Sequence, residues 1–522
     1  MATIVIGLDG ANWEMLDDWL TAGDLPRLRR LVDAGVGGTS RSCLPPLTVP
    51  NWRCYATGKN PGKLDVFRFD RIDTEAREHV FHDRTDFKSA TLWDYLNDEG
   101  KRTGIVNSPS TYPPRSIDGF VVAGGPDASE TAYRSLESGF ATPESVERYL
   151  QETLDYRLHP EPMISPADQG AAEIEAILDL IDLRFEAAER LFEREKPDFL
   201  HLTVFYSMAL QHYFFTDEPV RRAWKRIDEN LARFLDRGHD LLLMSDHGTW
   251  HVDTVFYVNV WLESAGYLAT RRSVDSALGT VGITRERALA VAKRLGMVDH
   301  LRRLVPERVQ KMLPWEEGVK ADRVLTVVDW DRTRAIASNQ GPIYLTAERG
   351  TPEYEALRTE LIERLESLTH PLTGDRLVGA VHRGEEYYDG PYAGNAPDLL
   401  LDQGENVHTS DAIGPDSWWA DEGVWAGGNM PEGIFLASGP SFDDRGLTER
   451  ADIVDLAPTL LHAMGAAVPR DVDGDVLDIF APGSEPADRE VRYREPIHHD
   501  GESAGEEGEA VEERLANLGY LE

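Results

Sequence analysis

One threonine in this chain stands where an enzyme nucleophile could be built. Thr48 lies in the segment PPLTVPNW, residues 45–52, which is followed by TGKNPG at 57–62. Pro50 suits the first turn of a helix, so Thr48 is expected near the helix N-cap. Backbone N–H groups and the positive end of the helix dipole favour a bound phosphate or sulfate there. An ordinary capping threonine is the competing interpretation.

A carboxylate and an imidazole stand side by side later in the chain. The apolar stretch 241–244 is followed, after one serine, by Asp246 and His247. Asp9 follows an apolar stretch at the N-terminus in a similar way. Oxygen and nitrogen ligands of this kind suit Zn²⁺, Mn²⁺ or a related divalent ion. Two carboxylates, an imidazole and the Thr48 hydroxyl would make a chemically complete site for one such ion.

Short apolar runs alternate with amphipathic segments, the pattern that is typical of a parallel sheet covered by helices. The predicted strands are Thr3 to Leu8, Arg102 to Val106, Phe199 to Val204, Asp240 to Met244 and Gly433 to Ala437. The predicted helices cover residues 25–34, 90–99, 169–195 and 219–236. Sites in such sheets form beyond the carboxyl ends of the strands, which is where Asp9, Asp246 and His247 fall.

The chain is strongly acidic, with a net charge of -38 from 92 acidic and 54 basic residues, of which only nine are lysines. Such a charge opposes general binding to nucleic acid or anionic membranes, and its spread along the chain favours a halophilic source. We find no secretory signal pattern and no run of about 18 apolar residues, so we expect a soluble cytoplasmic protein. Cys43 and Cys54 are the only cysteines, which implies no disulfide framework.

The sequence predicts one catalytic core that is interrupted once. Residues 1–265 and 323–482 are expected to form the two parts of the core, and residues 266–322 a helical insertion. Between 271 and 320, eleven basic residues stand against six acidic ones, so the insertion is either a basic lid that attracts an anionic substrate or a solvated helical pair. Residues 483–522 are expected to be an acidic tail that ends in a short helix.

Several of these segments resemble motifs of the alkaline phosphatase superfamily, in the branch of type I phosphodiesterases and nucleotide pyrophosphatases. GLDG at 7–10 resembles its first metal-ligand motif, TVPNW at 48–52 with Thr57-Gly58 its nucleophile motif, and SDHG at 245–248 its metal-binding pair. The resemblance continues through segments at 259–262, 328–330, 396–398, 434–439 and 455–460. It implies an alkaline phosphatase-like three-layer αβα sandwich with a mostly parallel sheet and a helical insertion.

The resemblance also implies a two-metal transfer of phosphoryl or sulfuryl groups. Thr48 would attack phosphorus to give a covalent intermediate that water then releases. Asn51 would bind a nonbridging oxygen. The first metal would be held by a set of four residues, Asp9, Thr48, Asp246 and His247.

The ligands of the second metal depart from the family's pattern. His212 is retained, but Met208 occupies the position of an aspartate and Asn429 that of a histidine. A thioether and a neutral amide are poor ligands for hard divalent ions, so a second ion is not expected to bind well. His212 is then either a remaining ligand or a hydrogen-bonded core histidine. Lys63 or an arginine of the insertion could replace the missing positive charge.

These features favour a metal-dependent hydrolase of phosphate esters or phosphodiesters, possibly of nucleotide type, that acts on a small anionic substrate. A catalytically weak or inactive relative that binds an anionic ligand or partner is the first alternative, because of Met208 and Asn429. A transferase that passes the group from Thr48 to an acceptor other than water is the second. A phosphate substrate and a sulfate substrate cannot be told apart at this level.

Overall fold

The first strand of the chain lies in the middle of the central sheet. The computed structural model describes residues 1–81, 89–124, 139–165, 169–271, 321–421 and 423–497. The helices are α1 (Trp13–Ala22), α2 (Pro26–Asp33), α3 (Thr48–Thr57), α4 (Pro61–Leu64), α5 (Leu92–Asp98), α6 (Glu144–Leu154), α7 (Ala171–Glu195), α8 (Ser207–Phe214), α9 (Glu218–Leu231), α10 (Val258–Ser264), α11 (Ala321–Val327), α12 (Pro352–Glu366), α13 (Gly384–Tyr387), α14 (Leu456–Ala463) and α15 (Glu485–Asp488), with 3-10 turns at Ala393–Asn395 and Ile453–Asp455.

The strands range from two to seven residues in length. They are β1 (Thr3–Leu8), β2 (Gly35–Arg41), β3 (Asp70–Asp73), β4 (Glu78–Phe81), β5 (Thr103–Val106), β6 (Gly119–Val122), β7 (Ala141–Thr142), β8 (Phe199–Val204), β9 (Asp240–Met244), β10 (Gly248–His251), β11 (Thr254–Tyr257), β12 (Ala335–Ala337), β13 (Pro342–Leu345), β14 (Val378–Arg383), β15 (Leu399–Gln403), β16 (Val407–Ser410), β17 (Trp419–Ala420), β18 (Gly427–Met430), β19 (Glu432–Ser438), β20 (Gly446–Asp452), β21 (Val468–Pro469) and β22 (Tyr493–Arg494).

Within the described ranges, nine strands form the central sheet, in the order β20-β2-β19-β9-β1-β8-β5-β6-β7. The strands β9, β1, β8, β5 and β6 run parallel to one another. Only β19 and β7 run against the rest of this sheet. The sheet is therefore mostly parallel, as the sequence predicts, and all five predicted strands belong to it.

The direction of β19 is the exception to the predicted parallel pattern. β19 is antiparallel to both of its neighbours, β9 and β2. The reason is the path of the chain: β18 ends only two residues before β19 begins, and β18 pairs with β10 just beyond the carboxyl end of β9. A strand that starts at that edge can return through the sheet without a crossover helix.

Two apolar layers enclose the sheet and make it a three-layer sandwich. The side chains of β1 alternate between them, because Ile4 and Ile6 face the layer that contains α1, α2, α7 and α9. Val5 faces the opposite layer, to which α3, α5 and α14 contribute Trp52 and Leu460 among others. Burial on both faces explains why β1 and β9 are almost continuously apolar rather than alternating, whereas β8 also carries the buried polar side chains of His201 and Thr203.

A smaller sheet, β12-β13-β15-β14, packs with α10 and α12 in a separate apolar cluster. Tyr267 and Leu268, at the start of the expected insertion, are buried in that cluster. The basic residues 272–320 lie outside the described residues. Residues 483–497 of the expected tail pack on the core, where β22 pairs with β21 and His462 Nε2 donates to the Pro486 carbonyl. In the described part of the chain, no helix combines the length and apolar character that crossing a bilayer requires.

Candidate active site

The carboxyl ends of two neighbouring strands bring the predicted ligands together. β1 and β9 are parallel neighbours, and Asp9 and Asp246 each lie just beyond their ends. Asp9, Asp246 and His247 each offer one ligand atom, and these three atoms lie within 4.8 Å of one another. All three residues are fully buried. No other group of three or more such ligand residues occurs in the described ranges.

Hydrogen bonds across the two turns hold this arrangement. The Ser245 hydroxyl donates to the Ala11 carbonyl at 2.8 Å and accepts from the Ile434 N–H at 2.8 Å. The Thr249 hydroxyl donates to the Gly10 carbonyl at 2.8 Å. A side chain at Gly248 would collide with the carbonyl oxygen of Glu432. The turn after β9 is thereby fixed against both the turn after β1 and the start of β19.

Thr48 is the first residue of α3 and does not cap it. The N-cap is Leu47, which makes no side-chain capping bond. The Thr48 hydroxyl instead lies 3.4 Å from His247 Nε2, and the residue is fully buried. The competing interpretation of Thr48 as an ordinary cap is therefore wrong, because the side chain points into the ligand cluster.

Asn51, one turn further along α3, forms hydrogen bonds with the loop before the helix. Its Oδ1 accepts from the Cys43 N–H at 2.7 Å. Its Nδ2 donates to the carbonyls of Cys43, Pro45 and Leu47 at 3.0 to 3.1 Å. In this structure the amide shapes the loop that presents Thr48, whereas the resemblance assigned it to a substrate oxygen.

The chemistry of the donor set fits a divalent cation. Among the described residues, Asp9 Oδ1 and both carboxylate oxygens of Asp246 are buried without a hydrogen-bond partner. Burial raises the pKa of Asp9 to about 8, against a lowering by the Trp52 hydrogen bond, and burial followed by the charge of Asp9 raises that of Asp246. Buried anions of this kind need a counter-charge, which a metal ion would supply.

The imidazole of His247 is oriented as a neutral ligand. Its Nδ1 lies 3.0 Å from the Gly248 carbonyl, and because a carbonyl only accepts, Nδ1 must carry the proton. Nε2 then faces the carboxylates, 3.3 Å from Asp246 Oδ2 and 3.7 Å from Asp9 Oδ1. Burial lowers the pKa of His247 to about 4, so the ring is uncharged at neutral pH. A backbone carbonyl on the second nitrogen is the usual support of a metal-binding histidine.

The residues of the expected second metal site do not form a ligand set. The Met208 sulfur is buried and accepts from the Thr249 hydroxyl at 3.3 Å. Asn429 Nδ2 donates to the Pro46 carbonyl at 2.9 Å and lies 3.3 Å from His247 Nε2. Met208 and Asn429 thus belong to the packing around the first site, and they offer no anionic ligand for a second hard cation.

His212 lies outside the three-residue ligand group. Its Nδ1 donates to the Gly427 carbonyl at 2.8 Å, and its ring stacks on Trp425 at 3.7 Å between centroids. Burial lowers the pKa of His212 to about 3, so it brings no positive charge. Lys63 does not replace the missing charge either, because its ammonium binds the Asp473 carboxylate and the Asp471 carbonyl. Of the arginines of the insertion, Arg271 lies 3.9 Å from the Asp329 carboxylate, and the others fall in residues 272–320, which the structure does not describe.

One residue of the site escaped prediction from the sequence. The indole N–H of Trp52 donates to Asp9 Oδ2 at 3.0 Å, and both residues are buried. The available signal was Gly7, since a glycine inside a strand often marks the close approach of another group. A Cβ at Gly7 would overlap the Trp52 ring.

A mostly parallel αβα sandwich with a buried hydroxyl beside a divalent-metal ligand set defines a metal-dependent hydrolase of the alkaline phosphatase-like class. Residues 3–429 match the family of type I phosphodiesterases / nucleotide pyrophosphatases, and the chain belongs to that family. The family's description names phosphodiesterases and nucleotide pyrophosphatases, which are hydrolases of phosphoester and phosphoanhydride bonds.

Solved structures share the fold at low sequence identity. Phosphonoacetate hydrolase from Sinorhizobium meliloti 1021, in complex with phosphonoacetate, has 18% identity and a TM-score of 0.56 over 89% of this chain and 95% of that one. Human ectonucleotide pyrophosphatase / phosphodiesterase 5 has 14% identity and a TM-score of 0.51 over 92% and 100%. An inactive threonine-to-alanine variant of the murine enzyme in complex with AMP has 12% identity and a TM-score of 0.50 over 92% and 100%.

Proposed function

We propose that this protein hydrolyses phosphodiesters with Thr48 as the nucleophile and with one divalent ion held by Asp9, Asp246 and His247. The observation that carries the proposal is the position of the Thr48 hydroxyl, 3.4 Å from His247 Nε2 at the edge of the ligand group. A bound Zn²⁺ or Mn²⁺ would supply Lewis-acid polarisation and would favour the ionised hydroxyl. Asp9, Asp246 and His247 hold and orient that ion.

The remaining steps follow from the position of Thr48 at the start of a helix. The N–H groups of Thr48 and Val49 lie in the first turn of α3, where helix geometry leaves N–H groups without a partner in the helix and favours an anion; Pro50 has no N–H, and that of Asn51 bonds the Leu47 carbonyl. Thr48 Oγ1 forms a bond to phosphorus and loses its proton to water, while the leaving oxygen departs with the electron pair of the broken P–O bond. In the second step the oxygen of a water molecule forms a bond to phosphorus, the bond between phosphorus and Thr48 Oγ1 breaks, and a proton from that water returns to Oγ1. Asn51 and Asn429 keep the loop before α3 in place during both steps.

The charge of the site favours a monoanionic substrate. Two ionised carboxylates and one divalent ion sum to zero, and the lowered pKa values of His247 and His212 leave both rings uncharged. A phosphodiester carries one negative charge, whereas a phosphomonoester carries nearly two at neutral pH. A neutral site gives neither substrate a full counter-charge, so the monoester alone has the additional free-energy cost of placing a second negative charge in a buried environment.

We expect bis(4-nitrophenyl) phosphate to be hydrolysed with a kcat/KM at least about tenfold above that of 4-nitrophenyl phosphate, which corresponds to about 1.4 kcal/mol. The assay uses the full chain with Zn²⁺ or Mn²⁺ in concentrated KCl, and 4-nitrophenyl sulfate serves as a second monoanion. Turnover of the sulfate without the diester, or a preference for the monoester, would contradict the proposal. Diester binding without turnover would instead support the inactive binding protein.

We expect the Met208→Asp, Asn429→His double variant to bind two zinc ions per chain, where the natural chain binds one. The two substitutions restore an anionic ligand and an imidazole near His212, whose Nδ1 is already held by the Gly427 carbonyl. Equilibrium dialysis followed by elemental analysis gives the ratio. Met208→Leu, Asn429→His is the matched control, because it lacks the added carboxylate and should stay at one ion. Two ions in the natural chain would show that other residues complete a second site.

A further inference from the structure

The Asp9 carboxylate accepts a hydrogen bond from the Trp52 indole, whereas among the described residues no side chain donates to the other ligand carboxylate, Asp246. Trp52 Nε1 donates to Asp9 Oδ2, which leaves Oδ1 as the oxygen that faces His247. Both side chains are almost completely shielded from solvent. An indole N–H has one donor and no acceptor, so its position determines which carboxylate oxygen is occupied.

The indole is itself held from three sides. The absent side chain of Gly7 leaves the space that the ring fills, since an added Cβ would lie 2.8 Å from Trp52 Cζ3 and closer still to Cη2. The rings of Tyr55 and His201 meet the indole edge-on, at 6.0 Å and 5.8 Å between centroids. Such edge-to-face contacts are favourable and directional.

His201 is locked in turn by hydrogen bonds on both nitrogens. Nδ1 lies 3.1 Å from the Tyr55 hydroxyl, and Nε2 lies 2.7 Å from the Thr203 hydroxyl. Burial lowers the pKa of His201 to about 3, so the ring is neutral and can keep one donor and one acceptor nitrogen. Gly7, Tyr55 and His201 thus restrict where the indole ring of Trp52 can lie.

We infer that Trp52 is a positioning residue for the metal centre: it fixes the Asp9 carboxylate so that Oδ1 is presented to the ion in a single orientation. The inference rests on the proposed function, because it requires the ion at Asp9, Asp246 and His247. Hydrogen-bond partners of metal ligands orient those ligands, and their loss typically weakens metal binding.

We expect Trp52→Phe to raise the dissociation constant for Zn²⁺ by about 10- to 100-fold, which is the typical effect of removing a hydrogen-bond partner of a metal ligand. Phenylalanine keeps an aromatic ring beside Gly7 but has no N–H. The constant is measured by competition with a chromogenic chelator, with no substrate present, and kcat and KM for the diester are measured separately at saturating metal. A positioning role predicts that most of the lost activity returns when the metal concentration is raised.

Trp224→Phe is the matched control. Trp224 is buried in α9, and its indole N–H makes no hydrogen bond to any described residue. It should bind Zn²⁺ within about twofold of the natural chain, since no ligand contact is lost. Equal affinities for Trp52→Phe and Trp224→Phe would overturn the inference while the proposed function stands. A natural chain that binds no metal would overturn both.

A measurement on the natural chain covers the case in which Trp52→Phe does not fold. With 15N-labelled tryptophan, the indole N–H resonance of Trp52 can be recognised by its cross-relaxation with the Tyr55 ring. We expect this resonance to shift when Zn²⁺ is added, because the Asp9 carboxylate that accepts the hydrogen bond through Oδ2 then binds the ion through Oδ1. The Trp224 resonance should stay in place. A Trp52 resonance that does not move would exclude the proposed role.

Discussion

Replacing Thr48 with alanine should lower the turnover of bis(4-nitrophenyl) phosphate by about a thousandfold or more, as the loss of a nucleophile does in other hydrolases with covalent intermediates. The substitution removes the Thr48 hydroxyl, which lies 3.4 Å from His247 Nε2. The fold should survive, since a single hydrogen bond contributes only about 1 kcal/mol to stability. The measurement is kcat at saturating Zn²⁺, together with the thermal unfolding midpoint of both proteins.

Two further results make this prediction specific to the nucleophile. Thr48→Ser keeps a hydroxyl at the start of α3 and should retain measurable turnover, because the attacking atom is still present. Thr48→Ala should also bind Zn²⁺, since Asp9, Asp246 and His247 are unchanged. Turnover by the alanine variant within tenfold of the natural chain would mean that water attacks phosphorus directly and that Thr48 only helps to bind the ion.

The second large effect is expected from Asp246→Asn. This change removes one of the two anionic ligands, so the affinity for Zn²⁺ should fall by about a hundredfold or more. That loss exceeds the effect expected when only a hydrogen-bond partner of a ligand is removed. A ligand that binds only the folded state stabilises it by RT ln(1 + [L]/Kd), so at Zn²⁺ concentrations well below the variant's dissociation constant the rise in melting temperature that Zn²⁺ gives the natural chain should disappear. Calorimetry with and without Zn²⁺ measures both effects.

Without metal, Asp246→Asn should no longer be less stable than the natural chain. Asp9 and Asp246 are buried together, burial raises the pKa of both carboxyls, and the charge of Asp9 adds to the cost of ionising Asp246. Metal-free Asp246→Asn should therefore unfold at the same temperature as the metal-free natural chain or above it. Asp253→Asn is the control, because Asp253 is exposed and pairs with His251 away from the ligand group. If Asp253→Asn loses the zinc effect as well, the ion binds elsewhere.

The sequence predicts much of the fold because the central strands are buried on both faces. β1 and β9 are short runs that are apolar after their first residue, β8 combines four apolar residues with His201 and Thr203, and each strand coincides with its predicted bounds. The convergence of Asp9 with Asp246 and His247 followed from a general property of parallel sheets, whose carboxyl ends share one edge. No knowledge of distances was needed, because residues just beyond neighbouring strands of the same direction must lie close together.

The parts that could not be predicted depend on contacts between distant segments. The direction of β19 is set by the pairing of β18 with β10. The apolar residues of a buried strand favour burial equally in a parallel and an antiparallel arrangement, so they do not predict its direction. The amide of Asn51 could serve a substrate or its own loop, and only the geometry of that loop shows which groups it meets. The hydrogen bond from Trp52 to Asp9 depends on space left by Gly7, which a glycine in a strand suggests without naming its occupant.

The central position of β1 also bears on how the protein is made. Its neighbours β8 and β9 begin about 200 residues later, at Phe199 and Asp240, and the loop that carries Thr48 is tied to Asn429. A ribosome must therefore release most of the chain before the sheet can close, and such long-range pairing is slow and leaves apolar strands exposed. The nascent chain holds Asp9 and Thr48 without Asp246 and His247 until about 200 further residues have been made, and the loop that carries Thr48 lacks its tie to Asn429 for longer still. Under the proposed function, the metal site could therefore be completed only after residue 247 has left the ribosome, and the loop around Thr48 only after residue 429.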